Sequence, residues 1–133
     1  MANVMDACAL IAYLRGEEGA DVVESLLLDK KDSCMVHAIN LCEVFYDFLR
    51  ASDELTALEA ISDLESIGLI MRDDIDPPFW QQAGKLKVEN KVSLADCFAI
   101  ALAKRMGGTV ITSDHHEFDL LVKDGVCAAT FIR

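Results

Sequence analysis

No apolar run in this chain reaches the roughly 18 to 20 residues of a membrane-spanning helix, so none is expected. The opening stretch "MANVMDACALIAYLRGEE" has no basic residue ahead of its apolar segment. It does not read as a secretory signal, and the sequence reads as cytoplasmic. Cations are scarce: 12 Lys and Arg stand against 23 Asp and Glu, a formal net charge of −11 at pH 7. That balance argues against a broad basic face gripping nucleic acid. It leaves room for an acidic enzyme whose bound metal ions meet phosphates, and it suits a basic protein partner. Paired cysteines are missing too. The five present (Cys8, Cys34, Cys42, Cys97, Cys127) are odd in number, contain no CxxC and sit in apolar segments, which reads as reduced thiols serving as small core residues. Cys8, Cys42 and Cys97 lie close to acids, but neighbouring helix positions point about 100° apart, so a mixed Cys/Asp zinc site is not expected. No repeat, low-complexity tract or linker divides the chain. At 133 residues and 53% hydrophobic, it suits a single domain, 1–133, with its own core.

Hydrophobic patterning gives the elements. "NVMDAC" begins as a short strand and "ACALIAYLRG" reads as a brief helix stopped at Gly16; "GADVVESLLLDKK" is an amphipathic helix. "SCMVHA" is a second strand. "INLCEVFYDFLRAS" turns helical with Asn40 as N-cap and Glu43 three residues on. "DELTALEAISDLESIG" is another amphipathic helix, "LIMRD" a third strand, and "DPPFWQQAGKLKVENK" a surface helix with an Asp cap and Pro at its first position. Ser93 caps a helix running to Met106. "TVITSD", then "HEFDLLVKDG" as a short helix or turn, then "CAATFIR" complete the set. This alternation predicts an α/β fold, a three-layer α/β/α sandwich with a central, mainly parallel sheet of about five strands. In such a sheet the chain leaves every strand at one common edge, where ligands bind.

Four acids fall at that edge. Asp6 follows the first strand and Asp114 the fourth; Glu43 and Asp96 lie early in helices. Asp96 is the only charge in "SLADCFAIALA", and a buried carboxylate is costly unless paired, hydrogen-bonded or bound to a cation. Capping explains each acid singly: Asn40-x-x-Glu43 and Ser93-x-x-Asp96 resemble capping boxes, and Asp6 and Asp114 can serve as N-caps. It does not explain their repeated placement among apolar neighbours, as in "LCEVF" and "LADCF". Carboxylates gathered at one rim repel each other, which raises pKa values or is relieved by a divalent cation. Oxygen-only donors suit Mg²⁺ or Mn²⁺ better than zinc, and phosphodiester hydrolysis is the reaction such a centre serves.

The four segments "VMDACALIAYL", "INLCEVFYDFLR", "SLADCFAIALA" and "VITSDHHEF" resemble, in order and spacing, the motifs of the PIN-domain family, especially its VapC-type toxin branch. The resemblance covers nearly the whole chain. It implies a metal-dependent ribonuclease, a type II toxin, that cuts single-stranded or exposed RNA to leave a 5′-phosphate. It further implies Mg²⁺ or Mn²⁺ as cofactor, a homodimer, and a small antitoxin whose basic or apolar tail blocks the site. Asp6, Glu43, Asp96 and Asp114 would form the catalytic, metal-binding quartet, Asp6 and Asp96 foremost. Glu117 and Asp119 lie near Asp114, and the last acid varies in such proteins. Thr112 and Ser113, beside Asp114, can supply hydroxyls to water or metal, and as polar residues at a strand end they read at least as well as turn formers. Family members often carry Ser or Thr two residues after the first Asp, where this chain has Cys8, a weaker hydrogen-bond donor.

Among other polar residues, His115 and His116 read as surface histidines and His37 as structural. Asp47 is expected to pair with Arg50. Arg15, Lys85, Lys87, Lys91, Lys104 and Arg105 are the cations available for RNA, and Phe79 and Trp80 the aromatics, although solvated charge and core packing account for them equally. Two other classes stay open at this level. One is a receiver-like phospho-accepting module using Asp73 or Asp74 after a middle strand. The other is a catalytically inactive PIN-like binding domain.

Overall fold

The structure, a computed structural model, describes residues 1–133. In chain order it holds β1 (Ala2–Met5), α1 (Ala7–Arg15), α2 (Ala20–Leu28), β2 (Ser33–His37), α3 (Ala38–Ala51) and α4 (Glu54–Ser66). β3 (Ile70–Arg72), α5 (Pro77–Glu89), α6 (Leu94–Met106), β4 (Thr109–Thr112), α7 (His115–Lys123) and β5 (Ala129–Phe131) follow. All five strands are parallel, in the order β3-β2-β1-β4-β5. Each expected strand is present, and the last segment before β5 is a true helix rather than a turn.

Period-two alternation along the strands divides the core into two layers. Val4, Met35 and Val110 face one side, where α5, α6 and α7 deliver Phe79, Ala83, Phe98, Leu102, Phe118 and Leu121. Their neighbours Met5, Cys34, Val36 and Ile111 face the other, against Leu10, Val23, Val44 and Leu64 of α1 to α4. Helix α6 is buried continuously from Cys97 to Ala103. Gly108 lets β4 approach β1, since a Cβ there would stand 2.2 Å from the Ala2 carbonyl oxygen.

The strand order sets the site. From β1 the chain steps outward to β2 and β3, then returns across β1 to lay down β4 and β5. The reversal leaves a crevice at the C-terminal ends of β1 and β4, the usual ligand position in an open parallel sheet. The same order corrects the receiver-like reading, because "LIMRDD" is an edge strand, not a middle one. Asp74 there is held by Arg72 at 2.8 Å and Arg105 at 2.9 Å. Those bonds hold its carboxyl below the usual range, the Arg72 contact foremost.

Two capping expectations change. Asn40 is not an N-cap: α3 begins two residues earlier, with His37 Nδ1 accepting the Ile39 N–H at 3.1 Å. His37 Nε2 meets the Asp74 carbonyl at 2.8 Å, and its ring stacks on Phe79, so the imidazole is structural, as expected. Asn40 is instead fully buried inside the helix, donating to the Ala95 carbonyl at 3.3 Å. Glu43 therefore lies in the second turn of α3 and forms no box with Asn40. Asp76 does cap α5, but its carboxylate accepts from Arg105 at 2.6 and 2.7 Å rather than from its own helix.

Candidate functional site

Asp6 lies directly after β1 and starts α1, its Oδ1 accepting the Ala9 N–H at 2.9 Å. The residue is only 1% exposed and its Oδ2 has no hydrogen-bond partner. Burial, reinforced by the charges of Asp114 and Glu43, pushes its pKa up to about 7 against the pull of the Thr112 hydroxyl and the Ala9 N–H. A buried carboxylate oxygen without a partner is unstable as an anion.

Asp96 occupies the third position of α6, its N–H donating to Ser93 Oγ at 3.2 Å. In a complete capping box the carboxylate would return to the Ser93 N–H. Here Glu117 Oε2 accepts that N–H at 3.3 Å, so only half of the expected box forms and the Asp96 carboxylate is left for the crevice. Burial, then the Asp6 charge, then Glu117 and Glu43, push its pKa up to about 7 against the Ser93 hydroxyl.

Asp114 starts α7 as Asp6 starts α1, with Oδ1 accepting the Glu117 N–H at 3.0 Å. Its own N–H donates to Thr112 Oγ1 at 3.0 Å. Thr112 is fully buried and bonds Asp114 through its hydroxyl, which also lies near enough to Asp6 to lower its pKa, whereas Ser113 makes no side-chain hydrogen bond. Glu117 follows one helical turn after Asp114 and so shares its face. One oxygen from each of Asp96, Asp114 and Glu117 lies within 4.8 Å of the others, close enough to share an ion. The N-termini of α1, α6 and α7 thus come together with their acids, and the partial positive charge of each helix end offsets part of the repulsion.

Asp96, Asp114 and Glu117 form the triad, whereas Asp6, expected among the foremost ligands, lies outside it, near enough for its charge to interact with Asp96 and Asp114. Glu43 stands outside the triad on half-buried α3, its pKa raised by burial, and its charge reaches Asp6 and Asp96. Cys8 and Cys42 are exposed rather than core residues as expected; beside the acids, desolvation and then the charges of Asp6, Asp114, Asp96 and Glu43 push the Cys8 thiol up to about 12. It stays protonated at neutral pH and offers no thiolate. The spacing of three after Asp114 was the available signal for Glu117, but Asp119 competed for it, and Asp119 instead faces His115 at 2.8 Å. His115 also meets the Arg133 carbonyl at 2.8 Å and stacks on Phe131, so it secures the C-terminus rather than the crevice. Asp47 pairs with Arg15 at 2.6 Å more closely than with Arg50 at 3.6 Å.

The fold has solved counterparts. The chain is similar to one in the VapBC-1 structure from nontypeable Haemophilus influenzae, with a TM-score of 0.71 and 17% identity over 99% of this chain and 98% of that one. It is also similar to one in VapBC2 from Rickettsia felis bound to a promoter DNA fragment, with a TM-score of 0.77 and 13% identity over 98% of both. A third is VapC20 of Mycobacterium tuberculosis, described as a Sarcin-Ricin loop cleaving toxin, with a TM-score of 0.69 and 17% identity over 85% of this chain and 90% of that one. Comparison with curated proteins found no match. The sequence profile of the PIN domain matches residues 4–123, the span from β1 to α7 that carries every acid described above, and the chain belongs to the PIN domain family.

Proposed function

We infer that this chain is a divalent-metal-dependent endoribonuclease, a VapC-like toxin that hydrolyses RNA phosphodiester bonds and leaves a 5′-phosphate. The observation that carries the reading is the meeting of Asp96, Asp114 and Glu117 at the strand-order reversal, beside an Asp6 whose Oδ2 is buried and unpartnered. The all-oxygen donor set fits Mg²⁺ or Mn²⁺. Asp96, Asp114 and Glu117 would hold the ion, with Asp6 behind them and Glu43 at the margin. Such an ion supplies charge for the phosphate oxygens and a water of lowered pKa. The chain's own residues do the positioning: Thr112 fixes Asp114 and supports Asp6, and the Ser93–Glu117 contact ties α7 to the start of α6. Without an ion, burial favours the protonated form of Asp6.

The regulatory partner is an antitoxin. An apolar groove of about 340 Å³ between α3 and α4, lined by Leu41, Phe45, Leu58 and Ile61, supports it. It lies on the helix that carries Glu43, and the VapBC structures above are of toxin–antitoxin pairs. A homodimer acting in the cytoplasm completes the reading; no helix is long and apolar enough to cross a membrane. Incubating the purified protein with RNA and Mg²⁺ or Mn²⁺, beside Asp6→Asn and Asp96→Asn, tests it. Cleavage by the wild type alone is expected. Equal cleavage by all three would mean a contaminant, and no cleavage by any would favour an inactive PIN-like binding domain.

A further inference from the structure

Beside the carboxylate triad, and sharing Glu117 with it, lies a cavity of about 350 Å³. One wall is the turn between α5 and α6, which contributes Glu89, Asn90 and Lys91. The other is α7, which contributes His116 and Asp124 besides Glu117, with Leu120 and Leu121 as the apolar part. Its volume lies at the small end of ligand sites and suits one planar base.

The polar lining is dominated by acceptors. The carboxylates of Glu89 and Asp124 accept hydrogen bonds and donate none, while Glu117 already accepts the Ser93 N–H at 3.3 Å. Asn90 spends one of its two amide hydrogens on the Leu86 carbonyl at 3.1 Å, which leaves its oxygen and one N–H to offer. Lys91 is the constant donor. Single-stranded RNA is read by base edges of this kind. Guanine presents N1–H and N2–H₂ side by side, a donor pair that one carboxylate accepts bidentately. Adenine and cytosine offer one amino group flanked by an acceptor, and uracil one N–H between two carbonyls, so acceptors in the wall repel part of each. Apolar Leu120 and Leu121 suit the face of the ring.

We propose that this cavity is the base subsite for the nucleotide next to the scissile phosphate, and that it selects guanine in single-stranded RNA. The position along the substrate rests on the nuclease reading; the binding of guanine does not.

The test uses oligouridine carrying one guanine, and the same oligomer with inosine there, which lacks only the N2 amino group. Binding is read by fluorescence anisotropy with the Asp6→Asn protein, and cleavage with the wild type in Mn²⁺. Guanine is expected to be favoured over inosine by about tenfold in both, the scale of a lost bidentate base contact. Cuts should fall beside the guanine. Because Glu89 and Asp124 are exposed, Glu89→Gln and Asp124→Asn should leave the fold intact. In each the guanine-to-inosine ratio should fall towards one, through KM rather than kcat. A wild-type ratio of one, or a ratio unchanged in both variants, overturns the subsite. If the wild type cleaves nothing, the nuclease reading fails, and the anisotropy ratio still decides whether the cavity takes guanine.

Discussion

Replacing Asp6 with asparagine keeps the side chain's shape and removes its charge. In the folded chain the Asp6 pKa rises from 3.8 to about 7, chiefly through burial. Between those values the folded state holds a proton that the unfolded state has lost. Its contribution to stability is therefore complete below about pH 4 and disappears as pH rises through about 7. A shift of about 3 units corresponds to about 4 kcal/mol. The asparagine variant avoids that loss, but its amide places an unpaired donor where Oδ2 now lies, at a cost of about 1–3 kcal/mol. With chelator present, the variant should be more stable than the wild type by about 2 kcal/mol at pH 8, about equal to it near pH 5, and less stable by about 2 kcal/mol near pH 3. Urea unfolding at several pH values, with the m-value checked for constancy, measures this crossing directly. A stability difference that stays constant with pH, or a wild type that gains on the variant as pH rises, would refute the claim that Asp6 is an uncompensated buried acid.

The remaining predictions use the same site and the packing beneath it. Adding Mn²⁺ should raise the melting temperature strongly at pH 8 and weakly at pH 5.5, where Asp6 and Asp96 hold protons, and Glu117→Gln should blunt the rise at pH 8; thermal scans across metal concentrations check both. Thr112→Val removes the acceptor of the Asp114 N–H and a group that lowers the Asp6 pKa. It should cost about 1–3 kcal/mol and move the pH midpoint of metal binding upward, read by calorimetric titration. Gly108→Ala should lower the urea midpoint by about 3 kcal/mol equivalent or prevent folding, because its Cβ meets backbone, whereas Gly84→Ala in α5, with open space around it, should stabilise by up to about 1 kcal/mol.

The architecture was legible because strand and helix periods differ and because carboxylates stand out in apolar segments. Asp6 and Asp96 could be found that way, and the parallel sheet brought them and Asp114 to one edge. What stayed hidden depends on contacts between distant residues. His37 displaces Asn40 as the cap of α3 because the Asp74 carbonyl, 37 residues away, fixes its ring. Glu117 and Asp119 are equivalent by composition, and only the packing of α7 turns one toward Asp96 and the other toward His115. The edge position of β3 follows from the order in which strands are laid down, which no local pattern records.

That order has a consequence for biosynthesis. Met5 pairs with Ile111, so the crevice joins segments from opposite ends of the chain. A nascent polypeptide still on the ribosome lacks half of the site until its final elements emerge, and whatever chemistry the acids perform is withheld for most of translation. A product truncated before β4 would leave one side of β1 unpaired, an open edge prone to aggregation and without a working centre.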